Sequence, residues 1–254
     1  KETAKDCGTL STEIEMKKII TTAFLVVFTA GLYHNIITAN EIYVDQIGDN
    51  LDLSITQDGQ DNQIGDLSGA SPAPMVLSGD DMTFAITQTG NQNTIVATIK
   101  GNTYTGTWSV TGDNNAIDFV CDSTGVSQCE TVTADITVNG SSSTIDIRLG
   151  ESADASNTIA EFTIDGDGNI VDFEADGTNV QSTIIIDNSS SLAPTGNSVT
   201  VDIDGDGDVN GHSLNLDITG GGGTFVITQS GIYDNAVDMT TNGDNATVNI
   251  LQTD

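Results

Sequence analysis

A segment that occurs in three near-identical copies constrains the fold of this chain more than any other feature. The copies lie at residues 53–62, 84–93 and 225–231, and Asn235 follows the third. Each has an apolar residue, any residue, Ile-Thr-Gln, any residue and Gly, and an Asn then begins a second alternating run. Weaker copies lie at residues 108–117, 136–145, 162–171 and 201–209, and shortened ones at 46–50 and 243–246.

Each copy is typical of a strand, a tight turn and a second strand. Alternation places apolar side chains on one face. The Gly permits a positive φ in the turn, and Asn tolerates the left-handed region beside it. Since one unit cannot bury its apolar face, stacking of successive units must supply the core. The sequence therefore predicts an all-β fold, a β-solenoid of stacked strand–turn–strand repeats. A β-sandwich is the alternative, although it does not require the same Gly and Asn at successive turns.

Stacking in register would align the repeated amide side chains into ladders that satisfy their donors and acceptors. The repeat positions predicted to have this structural role are Gln46, Asn50, Gln57, Gly59, Asn62, Gln88, Gly90, Asn93, Gly112, Asn115, Gly166, Asn169, Gln229, Gly231, Asn235, Asn245 and Gln252. Their spacing is uneven, so loops must leave some units. We interpret residues 66–79, which contain Pro72 and Pro74, as one such excursion.

The best copies resemble the curlin repeat family, whose units read Ser-x5-Gln-x-Gly-x2-Asn-x-Ala-x3-Gln. Residues 57–62 and 88–93 match the centre of such a unit, and residues 245–252 resemble its second half. The leading Ser is absent, and the middle units lose the Gln, for example at Asp165 and Asp204. The resemblance covers the two ends of the chain better than its middle.

This resemblance implies a curlin-like solenoid that is exported and polymerises into amyloid-like fibres of the biofilm matrix, where it contributes to adhesion. The implied partners are further copies of the chain, a nucleator and a secretion chaperone. Because carboxylates stacked one strand apart repel each other, we expect polymerisation to be slow, conditional or absent.

Charge excludes two classes of partner. The 254 residues include 37 acidic and 6 basic side chains, a formal net charge of −31. Such a surface repels nucleic acid and anionic lipid, so neither is expected as a partner. An acidic, Gly-rich chain with few aromatic residues could instead be disordered, but its Val, Ile and Thr residues form short alternating runs.

The first forty residues indicate export. Met16-Lys17-Lys18 precedes an apolar run at residues 19–32, which is short for a membrane span. We interpret residues 1–15 as an upstream segment outside the mature protein, 16–39 as a signal peptide and 40–254 as the curlin-like repeat domain. A retained N-terminal membrane anchor is the alternative. The expected location is extracellular or on the cell surface, with no membrane association after cleavage.

Two cysteines of the repeat domain agree with export. Cys121 and Cys129 flank a short polar segment and could close a small disulfide loop in an oxidising compartment. Two free thiols are the alternative.

An Asp-rich run is the best metal candidate. Asp202, Asp204, Asp206 and Asp208 alternate with Ile or Gly like the start of a calcium-binding loop. The twelfth position is Ser213 rather than Glu, so we interpret the run as an acidic turn, with weak calcium binding as the alternative. That alternative has a matching function, a monomeric calcium-stabilised adhesin or binding module at the cell surface.

Catalytic patterns are missing from the sequence. His212 is the only histidine beyond residue 40, and its Gly and Ser neighbours favour a surface position. No pair of carboxylates is singled out for glycoside hydrolysis, and the Gly run at 220–223 lacks the Lys of a phosphate-binding loop. The sequence therefore predicts a protein that is not an enzyme and needs no cofactor.

Overall fold

The computed structural model describes residues 41–59, 62–65, 73–90, 93–112, 114–121, 130–140, 142–150, 155–166, 168–187, 196–205, 212–220, 222–231 and 235–253, all within one compact unit. These residues form an all-β solenoid built from two parallel sheets. The predicted β-solenoid is confirmed. The predicted upstream segment and signal peptide lie outside the described residues.

Two sheets form opposite walls of the solenoid. Sheet one has twelve strands: β1 (Glu41–Ile42), β2 (Asp45–Ile47), β4 (Gln63–Ile64), β5 (Met75–Ser78), β7 (Thr94–Lys100), β9 (Ala116–Cys121), β11 (Thr144–Leu149), β12 (Ala155–Ser156), β14 (Ile170–Thr178), β16 (Asn197–Asp204), β18 (Gly223–Ser230) and β20 (Thr247–Thr253). Sheet two has eight: β3 (Asp52–Asp58), β6 (Met82–Thr89), β8 (Tyr104–Thr111), β10 (Val132–Asn139), β13 (Ile159–Asp165), β15 (Gln181–Asp187), β17 (Ser213–Thr219) and β19 (Ala236–Asn242).

The chain alternates between the sheets, and each coil lies beside the next with its strands parallel and in register. Thr83 pairs with Thr105, and Ile159 with Gln181, so the shortest coils take 22 residues. Gln181 pairs with Ser213, a spacing of 32 residues. The uneven spacing of the sequence copies therefore reflects coils that contain different numbers of residues.

Alternation along each strand determines which side chains enter the core. In β16 every second residue from Asn197 is buried and the residues between them are exposed. Buried apolar side chains of the two sheets meet between the walls and form one continuous core. Its largest members stack near the middle coils, where Trp108 contacts the rings of Phe84 and Phe119 edge to face. This core has no room for a side chain at Gly106, where a Cβ would overlap the Tyr104 ring.

Both turns of a coil have the same backbone design. A Gly with positive φ ends the strand, and a left-handed residue two positions later precedes the next inward-facing side chain. In the turn from sheet two to sheet one these are Gly112 (φ 145°) and Asn114 (φ 59°). In the return turn, from sheet one to sheet two, Gly101 (φ 136°) and Thr103 (φ 59°) take the same roles. Gly tolerates these angles without strain, and Asn more readily than most other residues.

One sequence prediction about the loops is corrected. The excursion expected at residues 66–79 is shorter, because Met75–Ser78 is strand β5 and pairs with β2 and β7. Met75 and Leu77 are fully buried and belong to the core. The repeats in the sequence do not indicate this strand, because the residues around the short apolar run after Pro74 match no repeat.

The sequence repeat also changes phase along the chain. The copies at 53–59 and 84–90 end strands of sheet two, whereas the copy at 225–231 ends β18 of sheet one. The third copy is therefore not in the same column as the first two. Since both turns of a coil use the same backbone design, one motif can serve either of them.

The described residues contain no helix that is long and apolar enough to cross a membrane.

Candidate functional site

A column of buried asparagines runs along the turn from sheet two to sheet one. Each member is the first residue after that turn and faces inward, and it lies directly before a strand of sheet one or, as Asn197 does, at the first position of that strand. The asparagine column consists of Asn62, Asn93, Asn115, Ser143, Asn169 and Asn197, and each is buried. Register places them in successive coils, for example Gln63 beside Thr94 and Thr94 beside Ala116.

Side-chain amides of this column connect each coil to its neighbour. The backbone N–H of Ser143 donates to Asn169 Oδ1 at 2.8 Å, and the N–H of Asn169 donates to Asn197 Oδ1 at 2.8 Å. The Nδ2 group of Asn197 donates to the carbonyl of Gly166 in the preceding coil at 3.3 Å. Asn115, Asn169 and Asn197 thereby each accept from a buried backbone N–H that no strand pairing reaches.

Glutamine contacts occur near both ends of the solenoid. In sheet two Gln88 Nε2 donates to Gln57 Oε1 at 2.6 Å. In sheet one Gln252 Nε2 donates to Gln229 Oε1 at 3.0 Å. Valine and isoleucine continue the sheet-two column beyond Gln88, beginning with Val110. These glutamine–glutamine hydrogen bonds are therefore pairs near the two ends rather than parts of continuous ladders.

Three of the predicted repeat positions have a different role. Asn50 (φ 61°) and Asn245 (φ 64°) are the left-handed residues of their turns and do not stand in the asparagine column. Asn235 follows β18 and therefore lies in the return turn, one half-coil away from Asn62. The predicted glycines Gly59, Gly90, Gly112, Gly166 and Gly231 all have positive φ at the ends of strands.

His212 is buried, so the sequence interpretation of it as a surface residue is wrong. It takes, in the return turn, the role that asparagine has in the other turn. Its Nδ1 accepts the backbone N–H of Val180 at 3.2 Å, and its own N–H donates to Asn235 Oδ1 at 3.1 Å. Nδ1 is an acceptor here, so the neutral ring carries its proton on Nε2, which lies 3.4 Å from the Gly205 carbonyl.

Burial lowers the pKa of His212 below its ordinary value of 6.5, while the Gly205 carbonyl and Asp204 oppose this effect. A proton added at Nδ1 would replace the acceptor that Val180 needs with a second donor. The hydrogen bond between these two coils therefore depends on a neutral imidazole.

Carboxylates form columns on the outer face of sheet one. Asp118, Asp146 and Asp172 occupy neighbouring positions in β9, β11 and β14, about one strand spacing of 4.8 Å apart. Arg148, the only arginine of the chain, lies 2.9 Å from Asp118 and 3.2 Å from Asp146. One guanidinium cannot neutralise three carboxylates, so this face remains acidic.

Two carboxyl groups of the acidic face hold protons more readily than usual. Desolvation raises the pKa of Asp146, against the attraction of Arg148. Desolvation also raises the pKa of Asp202, together with repulsion from Asp204 and Asp172. Asp204 has a lowered pKa, because the Ser230 hydroxyl and the Gly205 N–H donate to it.

The calcium-loop candidate is only partly described. Asp202 and Asp204 face outward from β16, whereas Asp206 and Asp208 lie outside the described residues. Among the residues that the structure describes, no group of three or more His, Cys, Asp or Glu side chains is arranged to hold a metal ion. Cys121 takes part in a disulfide, and Cys129 also lies outside the described residues.

The last coil leaves its apolar side chains uncovered. Val248 and Ile250 of β20 occupy inward-facing positions in register with core residues of β18, yet 38% and 46% of their surface is exposed. Their neighbours one coil earlier, Phe225 and Ile227, are buried. A shallow open pocket of about 410 Å³ lies beside β18 and β20 and is lined by residues of both strands. Among the strands that the structure describes, the main chain of β20 pairs only with β18.

The described residues thus combine an acidic wall, buried amide columns and an exposed last coil. No significant match was found among protein-family models, curated proteins or solved structures.

Replacing Asn169 with Ala is expected to destabilise the solenoid. The buried Ser143 N–H would lose its acceptor, which costs about 1–3 kcal/mol. Chemical denaturation of both proteins would measure the difference. Asn139→Ala, on the exposed face of β10, is the matched control and should change stability little. Equal effects of the two substitutions would contradict the structural role of the asparagine column.

Acid should destabilise the wild-type chain relative to a His212→Asn variant. The folded-state pKa of His212 is lowered, so below pH 6.5 the unfolded chain binds a proton that the folded chain resists. Stability linked to this group is therefore present above pH 6.5 and is lost as the pH falls. Asparagine reproduces the acceptor without titrating. Unfolding free energies of both proteins across this range should diverge as pH decreases, and parallel curves would contradict the assignment.

Proposed function

We propose that this protein is a secreted structural subunit that associates end to end into curli-like extracellular fibres and contributes to adhesion in a biofilm matrix. The open last coil carries the proposal. Apolar core positions and an unpaired strand edge are exposed there together, and either one alone favours pairing with another chain.

The charge distribution supports growth along the axis of the solenoid. Carboxylates line the outer face of sheet one, where Glu174 and Asp202 are also neighbours across strands. Lateral contact between two such faces would bring like charges together with little cation to separate them. At the end of the stack, by contrast, Val248, Ile250 and Gln252 offer apolar and amide groups without charge.

The curlin resemblance supports the same function. The copies that match best, around Gln57–Gln88 and Gln229–Gln252, are those whose glutamines are joined by hydrogen bonds between coils. They lie near the two ends, where a further copy would attach. The predicted signal peptide is consistent with an extracellular fibre, for which we also propose a nucleator and a secretion chaperone as partners. No catalytic role is proposed.

Placing a charge on the inward face of the last strand should prevent fibre formation. In an Ile250→Asp variant a carboxylate would have to be buried without a partner at the joint, which is strongly unfavourable. The measurement is fibre growth of the purified chain, followed by thioflavin fluorescence and electron microscopy. Leu251→Asp is the matched control, because Leu251 is 57% exposed and points outward on the same strand.

Fibres from wild-type chain and from Leu251→Asp, but not from Ile250→Asp, would agree with end-to-end growth. Persistent monomer of the wild-type chain across pH and salt would refute the proposed function. Fibres from all three proteins would mean that the last coil is not the joint.

Acidification toward the sequence pI of about 4.1, or added calcium, should accelerate assembly. Both reduce repulsion between carboxylates. Asp146 and Asp202 have raised folded-state pKa values, so they bind protons more readily folded than unfolded and add stability as the pH falls toward 3.8. Lag times can be compared in the His212→Asn background, where the opposing histidine effect is absent. Lag times that change with neither pH nor calcium would contradict control by charge.

A further inference from the structure

The two ends of the solenoid do not complement each other by simple stacking. Among the described residues, the chain begins in sheet one with β1 and β2 and ends in sheet one with β20. Inside the molecule, each coil adds one level to sheet one, in one or two strands, and one strand to sheet two. If β20 paired with β1 and β2 of a second copy, two sheet-one levels would follow each other. One strand position of sheet two, between β19 and the next β3, would then be vacant.

The first strands of the chain present the same inward side chains as the last one. Ile42 stands in the column that ends at Val248, since register connects both through the Ile64 and Phe225 positions. Gln46 stands in the column that ends at Gln252. Val44 lies between them, as Ile250 does in β20. The segments 42–46 and 248–252 therefore share an apolar-x-apolar-x-Gln pattern on the same positions of sheet one.

The N-terminal copy of this pattern forms shorter strands than the C-terminal copy. β1 and β2 contribute only two and three residues of strand, compared with seven in β20. Two backbone bonds anchor its centre, from the Gly65 N–H to Ile42 O and from the Val76 N–H to Val44 O, both 2.9 Å. The Gln46 side-chain oxygen is buried without a hydrogen bond, which opposes this arrangement. A longer strand with the same inward pattern could replace it.

We propose that residues 41–47 are a self-capping strap that occupies the binding site for β20 of a second copy. When β20 of one molecule replaces the strap of the next, it pairs with β4 and β5, and β19 pairs with β3. Val248 and Ile250 then cover Ile64 and Met75, while Val237 and Met239 cover Leu53 and Ile55. Sheets one and two alternate across the joint with no vacant position. This proposal rests on the proposed function and specifies its joint.

Competition by the strap makes assembly conditional. Main-chain pairing to β4 and β5 is present both before and after exchange, so the net gain comes from covering the exposed last coil and from the longer strand. The second copy must first displace the strap, which adds a barrier to each addition. A chain with this design stays monomeric until it meets an end whose strap has opened.

A disulfide that fastens the strap provides the test. Asp45 and Val76 are paired neighbours in parallel strands, so cysteines at both positions lie at a separation that a disulfide spans. The oxidised Asp45→Cys, Val76→Cys protein is expected to lose fibre growth, and reduction is expected to restore it. The matched control is Thr200→Cys with Val226→Cys, a paired position between β16 and β18 inside the stack, which should assemble in either redox state. Wild-type chain under the same reducing conditions controls for the native disulfide.

A second variant tests the opposite direction without cysteines. Ile42→Asn with Val44→Asn weakens the strap, and it should shorten the assembly lag several-fold while the circular dichroism spectrum keeps its β signature. Faster hydrogen exchange at the Gly65 and Val76 amides would report the opened strap directly.

The outcomes separate the two proposals. If the wild-type chain forms fibres but the fastened strap does not block them, or the weakened strap slows them, the strap proposal is wrong and end-to-end growth stands. If the wild-type chain stays monomeric across pH and salt, the proposed function itself is wrong.

Discussion

The solenoid depends on how each coil satisfies the backbone groups that its neighbours leave buried at the turns. Strand pairing serves the two walls, but at each corner the chain leaves one sheet before it enters the other. In the first turn the asparagine column supplies the missing acceptor, for example Asn197 for the N–H of Asn169. An unsatisfied buried N–H costs as much as a lost hydrogen bond or more, so these side chains determine where a coil can turn. Because side chains at the turns accept hydrogen bonds from buried backbone N–H groups, the same coil can be repeated. The regular register, the continuous core and the exposed end follow from this repetition.

The sequence was sufficient to predict this architecture, because the physical requirements of a coil are local. Gly before the turn, a left-handed residue within it and alternation on either side are visible in the copies around Gln57 and Gln88. The phase of the repeat could not be predicted, because both turns have the same backbone design. The copy around Gln229 therefore resembles the first two although it lies on the opposite wall. His212 was misjudged for a related reason. Its neighbours Gly211 and Ser213 look like a surface loop, and only stacking places its ring nitrogen beside the Val180 N–H.

The remaining features depend on which residues meet across distant parts of the chain. Gln46 and Gln252 lie at opposite ends of the repeat region, yet eight consecutive strand pairings place them in one column. Successive members of this column are between 22 and 31 residues apart, so no fixed period in the sequence relates the two residues. The acidic columns show the same limit. Asp118 and Asp146 look like unrelated carboxylates until register makes them neighbours that share Arg148.

Stability and the proposed assembly are expected to respond to protons through different parts of one stack. Carboxylates on the outer face repel one another, and protonation relieves that repulsion over the acidic range where Asp146 and Asp202 titrate. His212 acts earlier, as the pH falls below 6.5, and it lies in the return turn that leads into β17, one coil before the exposed end. Mild acid therefore loosens the coils that carry the exposed end before stronger acid reduces the charge of the walls. In the proposed end-to-end assembly an end must keep its strands in register, so assembly should be favoured where the walls are partly neutral and the imidazole still accepts its hydrogen bond. Cations that bind to the acidic face satisfy both conditions at neutral pH, because they reduce repulsion and leave the histidine unprotonated.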